Sequence, residues 1–157
     1  IFALWMFGAV LENLWGAKRF LIFYVLCGFG AGALHLLVLY FEMTPIVREL
    51  EQVMFLPEQR ARELYGQLNQ ATLGASGSVF GCLAAFGYLF PNSLIYLYFL
   101  FPVKAKWFVM FYAGIELFMG IRNSAGDNVA HWAHLGGAGV GILLVIYWNK
   151  TNRKRFY

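Results

Sequence analysis

Charge is scarce in this chain: Asp, Glu, Lys and Arg make up 13% of its 157 residues, where a soluble domain carries roughly 25%. A soluble domain of that length has to clothe itself in polar side chains, and too few are present. Hydrophobic residues account for 61% and aromatic ones for 19%, which excludes a disordered tail. Cysteine is scarcer still. Cys27 and Cys82 both sit inside apolar runs, so neither a disulfide framework nor a thiolate metal centre is indicated. A continuous basic face is also missing, because the cations behind the net charge of +4 are split among separate segments without interleaved aromatics. Nucleic acid is therefore set aside as a partner. Finally, the chain opens on Ile1 rather than Met and is apolar through Leu11 with no basic segment in front, unlike a signal peptide. A piece of a longer protein, entered partway through a membrane helix, is the expectation.

What is present is apolar sequence in lengths suited to lipid. A helix rising about 1.5 Å per residue needs roughly 20 apolar residues to cross a hydrocarbon layer of about 30 Å. Five spans are predicted: Ile1 to about Leu14 (cut short), Phe20 to Phe41, about Leu73 to Phe90, roughly Trp107 to Ile121, and about Val129 to Trp148. Between the second and third lies a polar interval, Glu42 to about Thr72, whose stretch Val47 to Leu56 could rest in the interface. Leu94 to Phe101 reads as an aromatic, interfacial extension at the start of the fourth span, and Trp107, Phe108, Phe111 and Tyr112 as a belt with lipid-facing packing. Lys18 and Arg19, Lys104 and Lys106, and the cations of the tail Asn149 to Tyr157 fall on alternate connections. An up-and-down bundle puts these on one side, and that side is cytoplasmic. The fold class is thus an all-α polytopic membrane bundle, one domain over 1–157 ending in a basic cytoplasmic tail at 149–157. The third and fifth spans start at the opposite, outer face.

Polar groups inside a bilayer are costly and mark function by default. His35, Ser76, Ser78, Glu116, His131 and His134 are the candidates. Ser76 lies in Gly74-Ala75-Ser76-Gly77 at a helix start, where glycines permit close backbone approach and unpaired N–H groups can hold an oxyanion. Gly77, Gly81 and Ala85 continue as a small-residue ridge, which could also be the segment's whole purpose, with Ser76 a packing serine or cap. His134 opens a matching ridge of Gly137, Ala138 and Gly141, one face of the fifth span. Both ridges begin at the outer face, so docking them would bring Ser76 and His134 to similar depth, where an imidazole can take and return a hydroxyl proton. A buried histidine bonded to a carbonyl is the plainer alternative. Asp127, His131 and His134 share a face, but Trp132 breaks the His-Glu-x-x-His zinc pattern and three histidines leave few ligands, so no metal and no cofactor is expected. His131, one turn above His134, would orient it or a water. Gly28, Gly30 and Gly32 lack a preceding strand and read as helix packing, not a phosphate loop. Glu116 is a possible proton-relay carboxylate, thin support for transport.

Gly74-Ala75-Ser76-Gly77 together with Ala133-His134-Leu135-Gly136-Gly137, and Gly141 beyond, resembles the rhomboid family of intramembrane serine proteases, in order, spacing and orientation. The resemblance covers nearly the whole chain, which would correspond to the family's second helix, cut short, through its sixth, five helices of an expected six. It implies that Ser76 is the nucleophile and His134 the general base, a dyad without a buried acid, and that backbone N–H groups of Ala75 and Ser76 supply part of the oxyanion hole. Gly74, Gly77 and His131 would support them. Phe80 falls where the family usually places an aromatic, often Tyr, stacked on the catalytic imidazole. The family's further oxyanion residues, a His and an Asn at the opening of its second helix, would precede Ile1, and a polypeptide of these residues alone would be inactive or unstable. The implied substrates are transmembrane proteins cut near the outer interface, and the expected location is the plasma membrane of a bacterium. A non-cleaving relative that grips transmembrane segments, and a small transporter using Glu116 and the histidines, are the alternatives.

Overall fold

A computed structural model describes residues 1–51, 57–68, 75–97, 101–122 and 130–151. A chain this apolar must satisfy its backbone N–H and C=O groups internally, which makes the helix its default. The chain opens with a π-helical turn, Leu4–Gly8, that runs into α1, Ala9–Trp15. Gly16 then turns the chain with φ of +80° and ψ of 155°, a conformation in which a Cβ would be strained. Helix α2, Ala17–Leu50, follows. It outruns the expected end at Phe41 and passes through Pro45. Proline costs the helix one N–H donor there, while the Thr44 hydroxyl donates to the Tyr40 carbonyl alongside. The polar interval also contributes α3, Glu58–Leu68. Arg60 of α3 donates two hydrogen bonds, of 3.0 and 3.3 Å, to the Glu49 carboxylate near the end of α2.

Helix α4 spans Ser76–Leu89, α5 Ala105–Arg122 and α6 His131–Thr151. Among the described helices only α2 is both long and apolar enough to cross a membrane by length and composition alone. The others gain their place by packing: α6 lies against both α4 and α2, with α5 alongside. The expected aromatic extension before α5 is instead an antiparallel hairpin, β1 Leu94–Leu97 and β2 Phe101–Lys104, in the register Leu94 to Lys104 and Ile95 to Val103. Leu-Ile-Tyr-Leu is β-branched and aromatic enough to favour a strand, and hydropathy cannot separate that from a short helix. Two bonds fasten the hairpin's base, Ala105 N–H to the Ser93 carbonyl at 2.8 Å and Lys106 N–H to that of Pro91 at 3.2 Å.

Glycine governs the central contacts. A Cβ on Gly137 would strike the Gly77 backbone, and one on Gly141 would lie 2.7 Å from the Gly81 carbonyl oxygen, so α4 and α6 meet backbone to backbone. On the other side of α6, a Cβ on Gly136 would stand 2.8 Å from the Gly30 carbonyl of α2. Such approach gains dispersion contacts where lipid offers no hydrophobic drive between helices. Toward the far ends, Phe23, Leu11, Cys27, Cys82 and Val145 are fully buried. There Trp15 meets Trp148 edge-on with centroids 5.3 Å apart, and the Arg19 guanidinium lies over Trp148 at 5.1 Å. The start of α2, with Lys18 and Arg19, and the end of α6 thus share one end of the bundle, while the starts of α4 and α6 share the other.

The glycine contact makes a graded prediction. In the full-length protein in detergent, Gly137→Ala is expected to lower stability by about 1–3 kcal/mol, the usual cost of overpacking. Gly139→Ala, where an added Cβ meets nothing within 4 Å, should leave thermal unfolding unchanged. Equal melting temperatures for the two variants would contradict the packing described.

Candidate active site

Ser76 is the first residue of α4. Ala75 caps the helix with φ of −83° and ψ of 14°, and the Val79 N–H returns to the Ala75 carbonyl at 3.3 Å. The amides of Ser76, Gly77 and Ser78 precede that bond and point out of the helix start, as the first amides of any helix do. The Ala75 and Ser76 side chains are exposed, whereas Gly77 and Ser78 are buried. Ser78, the other candidate hydroxyl, faces Gly28 of α2 so closely that a Cβ there would sit 2.8 Å from its oxygen. It is a packing serine.

His134 lies one turn into α6, with its N–H bonded to the Ala130 carbonyl at 3.2 Å and the residue as a whole 8% exposed. Docking of the two glycine ridges brings its Nε2 to 2.9 Å from the Ser76 Oγ. The Phe80 ring stacks on the imidazole with centroids 4.1 Å apart and an interplanar angle of 4°. Phe80 is in turn held by Tyr112 of α5 at 5.3 Å. That contact corrects the reading of the α5 aromatics as one lipid-facing belt. Trp107 and Phe111 do face outward, at 57% and 71% exposure. Phe108, half-buried, and Tyr112, still 38% exposed, pair at 5.8 Å on the side that meets Phe80, with the buried Glu116 and Gly120 at the next helical repeats.

Glu116 alters the expected centre most. It is 5% exposed, and its Oε2 lies 2.9 Å from Nδ1 of His134 and 2.6 Å from Nδ1 of His131. A dyad without a buried acid was expected; the structure adds a carboxylate bridging both imidazoles. The helix bounds account for the meeting. Glu116 stands six residues before the end of α5 and His134 three after the start of α6. In antiparallel neighbours, at about 1.5 Å per residue, these are comparable depths.

Among the described residues, Glu116, His131 and His134 are also the group whose donor atoms, all within 4.8 Å, could hold a metal ion. Their O···N separations are hydrogen-bond lengths, and an ion among them would have to spread the donors and displace both bonds. Asp127, which completed the metal set considered from sequence, lies outside the described residues, as does Gly74. Chemically, a serine hydroxyl donating to an imidazole is the arrangement of a nucleophile beside its base, and the α4 start offers amides to a developing anion.

A bundle this apolar, with helices meeting through glycine and a serine–histidine pair at one end, is a polytopic helical membrane protein. The family model described as "Rhomboid domain" matches residues 1–150. The chain belongs to the rhomboid family. It is 32% identical to "Rhomboid protein 1, mitochondrial" of Saccharomyces cerevisiae over 158 residues, covering 98% of this chain and 38% of that protein. To "RHOMBOID-like protein 12, mitochondrial" of Arabidopsis thaliana it is 35% identical over 85 residues, 54% of this chain and 24% of the relative. The chain therefore spans well under half the length of these curated relatives. No solved structure matches it at a significant level. Membrane association accompanies the family. The bacterial plasma membrane expected from sequence receives no support from relatives whose names are mitochondrial.

The stacked ring yields a test of the site's mechanics. Phe80→Ala removes a contact of the kind worth about 0.5–1.5 kcal/mol and should slow modification of Ser76 by a fluorophosphonate roughly 2- to 10-fold. Phe80→Tyr keeps the stack and should react at the wild-type rate. If the alanine variant reacts as fast as wild type, the stack does not position His134.

Proposed function

We propose that the protein is an intramembrane serine endopeptidase that cleaves transmembrane protein substrates near the outer membrane interface, with Ser76 as nucleophile and His134 as general base. The observation that carries this reading is the 2.9 Å contact between the Ser76 Oγ and the His134 Nε2, made between two different helices, α4 and α6. Family membership supports it.

In the reaction, the Ser76 oxygen attacks the scissile carbonyl carbon as its proton passes to the His134 Nε2. The carbonyl electrons collect on the oxygen, for which family analogy supplies the N–H groups of Ala75 and Ser76 beside the α4 start. The C–N bond then breaks, and the Nε2 proton goes to the leaving amine, giving a serine ester. Water attacks that ester, losing its proton to Nε2, and the proton returns to the Ser76 oxygen as the acid leaves. A substrate helix hides its carbonyls in its own hydrogen bonds, so the cleaved stretch must unwind first, and family analogy adds a small residue before the cut.

Helix length supports the depth assigned to the chemistry. The 14 residues of α4 span about 21 Å against a hydrocarbon layer of about 30 Å. With its Pro91-Asn92 end at one interface, its first residue lies sunk below the other, yet Ser76 remains exposed. For location, the mitochondrial names of both relatives lead us to take a mitochondrial membrane.

The experiment uses the full-length protein in detergent or liposomes. Wild type should be labelled by a serine-directed fluorophosphonate and should cut a model transmembrane substrate. Ser76→Ala should lose both, and His134→Ala should lower cleavage by roughly 1,000-fold or more. Labelling and cleavage that survive Ser76→Ala would overturn the reading.

A further inference from the structure

Glu116 is a buried carboxylate, 5% exposed, that a serine–histidine mechanism does not use. It lies on α5, an element that contributes neither reacting side chain, yet one of its oxygens meets the Nδ1 atoms of two histidines. The three side chains are 7%, 10% and 12% exposed for Glu116, His134 and His131. We propose that Glu116 is a positioning residue that fixes the tautomer and orientation of His134, with His131 locking the carboxylate, so that the centre works as a serine–histidine–glutamate relay. This rests on the proteolytic reading above.

The argument starts from donors and acceptors. A carboxylate can only accept, so each imidazole must present an N–H to Oε2. A neutral imidazole carries one ring proton. Placing that of His134 on Nδ1 leaves the Nε2 lone pair facing the Ser76 hydroxyl, 2.9 Å away. The opposite tautomer would aim an N–H at the serine and could not take its proton. The bond to Glu116 therefore selects the form of His134 that can act as a base.

The same contact acts as the reaction proceeds. When the serine proton reaches Nε2, His134 becomes a cation in surroundings of low dielectric, and the carboxylate 2.9 Å from its other nitrogen offsets that charge. No proton need move to Glu116: the Nδ1 proton stays on the ring throughout, and proton bookkeeping remains between serine, imidazole, leaving amine and water. His131 supplies a second donor to the same oxygen. A buried carboxylate with one partner is costly, and the added hydrogen bond restrains its rotamer and repays part of its lost solvation. Burial for structure alone would be served by an apolar side chain, which membrane helices accept at no such cost.

The test compares Glu116→Gln with Glu116→Asp in the full-length protein, measuring kcat and KM for a model transmembrane substrate together with thermal stability. Glutamine keeps the shape but loses the charge, so kcat should fall at least roughly 30-fold with KM unchanged. Aspartate keeps the charge at shorter reach and should recover part of the loss. A merely structural glutamate would lower the melting temperature and leave the kcat of folded enzyme intact. Glu116→Gln with wild-type kcat, in a protein that Ser76→Ala inactivates, overturns the relay while leaving the protease standing. Should the glutamine variant unfold, Glu116→Leu decides: a folded leucine variant with reduced kcat and unchanged KM supports the relay, and one with wild-type kcat refutes it. Failure of the protease reading itself would look different, since wild type would neither label at Ser76 nor cleave.

Discussion

The backbone contact between α4 and α6 is the constraint on which the rest of the structure depends. Gly77 follows Ser76 directly, and Gly137 lies one turn beyond His134, so the place where the two helices touch is almost the place where the two side chains meet. The Gly77 backbone occupies the position a Cβ on residue 137 would need, and Gly81 does the same for residue 141. In lipid, where apolar burial supplies no drive between helices, this density of contact is itself the driving force. The same interaction that stabilises the bundle therefore sets the Ser76–His134 separation. A side chain that pushed the helices apart by a fraction of a methyl group would lengthen a 2.9 Å hydrogen bond by a comparable amount, and such bonds weaken steeply with distance and misalignment.

Helix α5 plays a second, dependent part. Its inward stripe runs at four-residue spacing through Phe108, Tyr112, Glu116 and Gly120. Phe108 and Tyr112 pack together, Tyr112 holds Phe80, and Gly120 admits Trp132, whose Cε2 would lie 3.2 Å from an added Cβ. The imidazole of His134 is thus gripped on its face by a ring from α4 and on its edge by a carboxylate from α5. A rotation of α5 by one residue would swing the stripe about 100° around the helix, breaking the carboxylate grip and taking Tyr112 away from Phe80.

Much of this was legible in the sequence because it lies within single helices. The repeats Gly77, Gly81, Ala85 and His134, Gly137, Ala138, Gly141 are patterns along one strand of text, and a helical wheel converts them directly into facing ridges. The Ser76 and His134 motifs lie on those ridges. Glu116 was visible only as an isolated acid, since its partners depend on the relative depth of two antiparallel helices joined by residues 123–130. No local pattern encodes that depth. The hairpin at Leu94–Lys104 was missed for another reason: an apolar aromatic run reads alike as interfacial helix or strand until its partner strand is known. The end of α2 moved because a polar interval is evidence about lipid exposure and says little about helicity, so the helix continued through Pro45 to Leu50.

The polar centre also has a direction. Ser76 is exposed, His134 is 8% exposed and Glu116 5%, so solvent access falls away from the serine toward the acid. Beneath His134, α6 continues through Gly137, Gly141 and Val145, all buried against glycine and apolar neighbours. A proton or ion pathway needs polar groups handing on from one side of the membrane to the other, and among the described residues this column offers none below the imidazole. What it offers is an exposed hydroxyl backed by a buried imidazole and a buried carboxylate. That gradient suits the proposed reaction at one face, where a substrate would enter from solvent or lipid while the charge to be formed on the imidazole would be compensated out of water's reach, and where low dielectric makes a fixed negative group most effective.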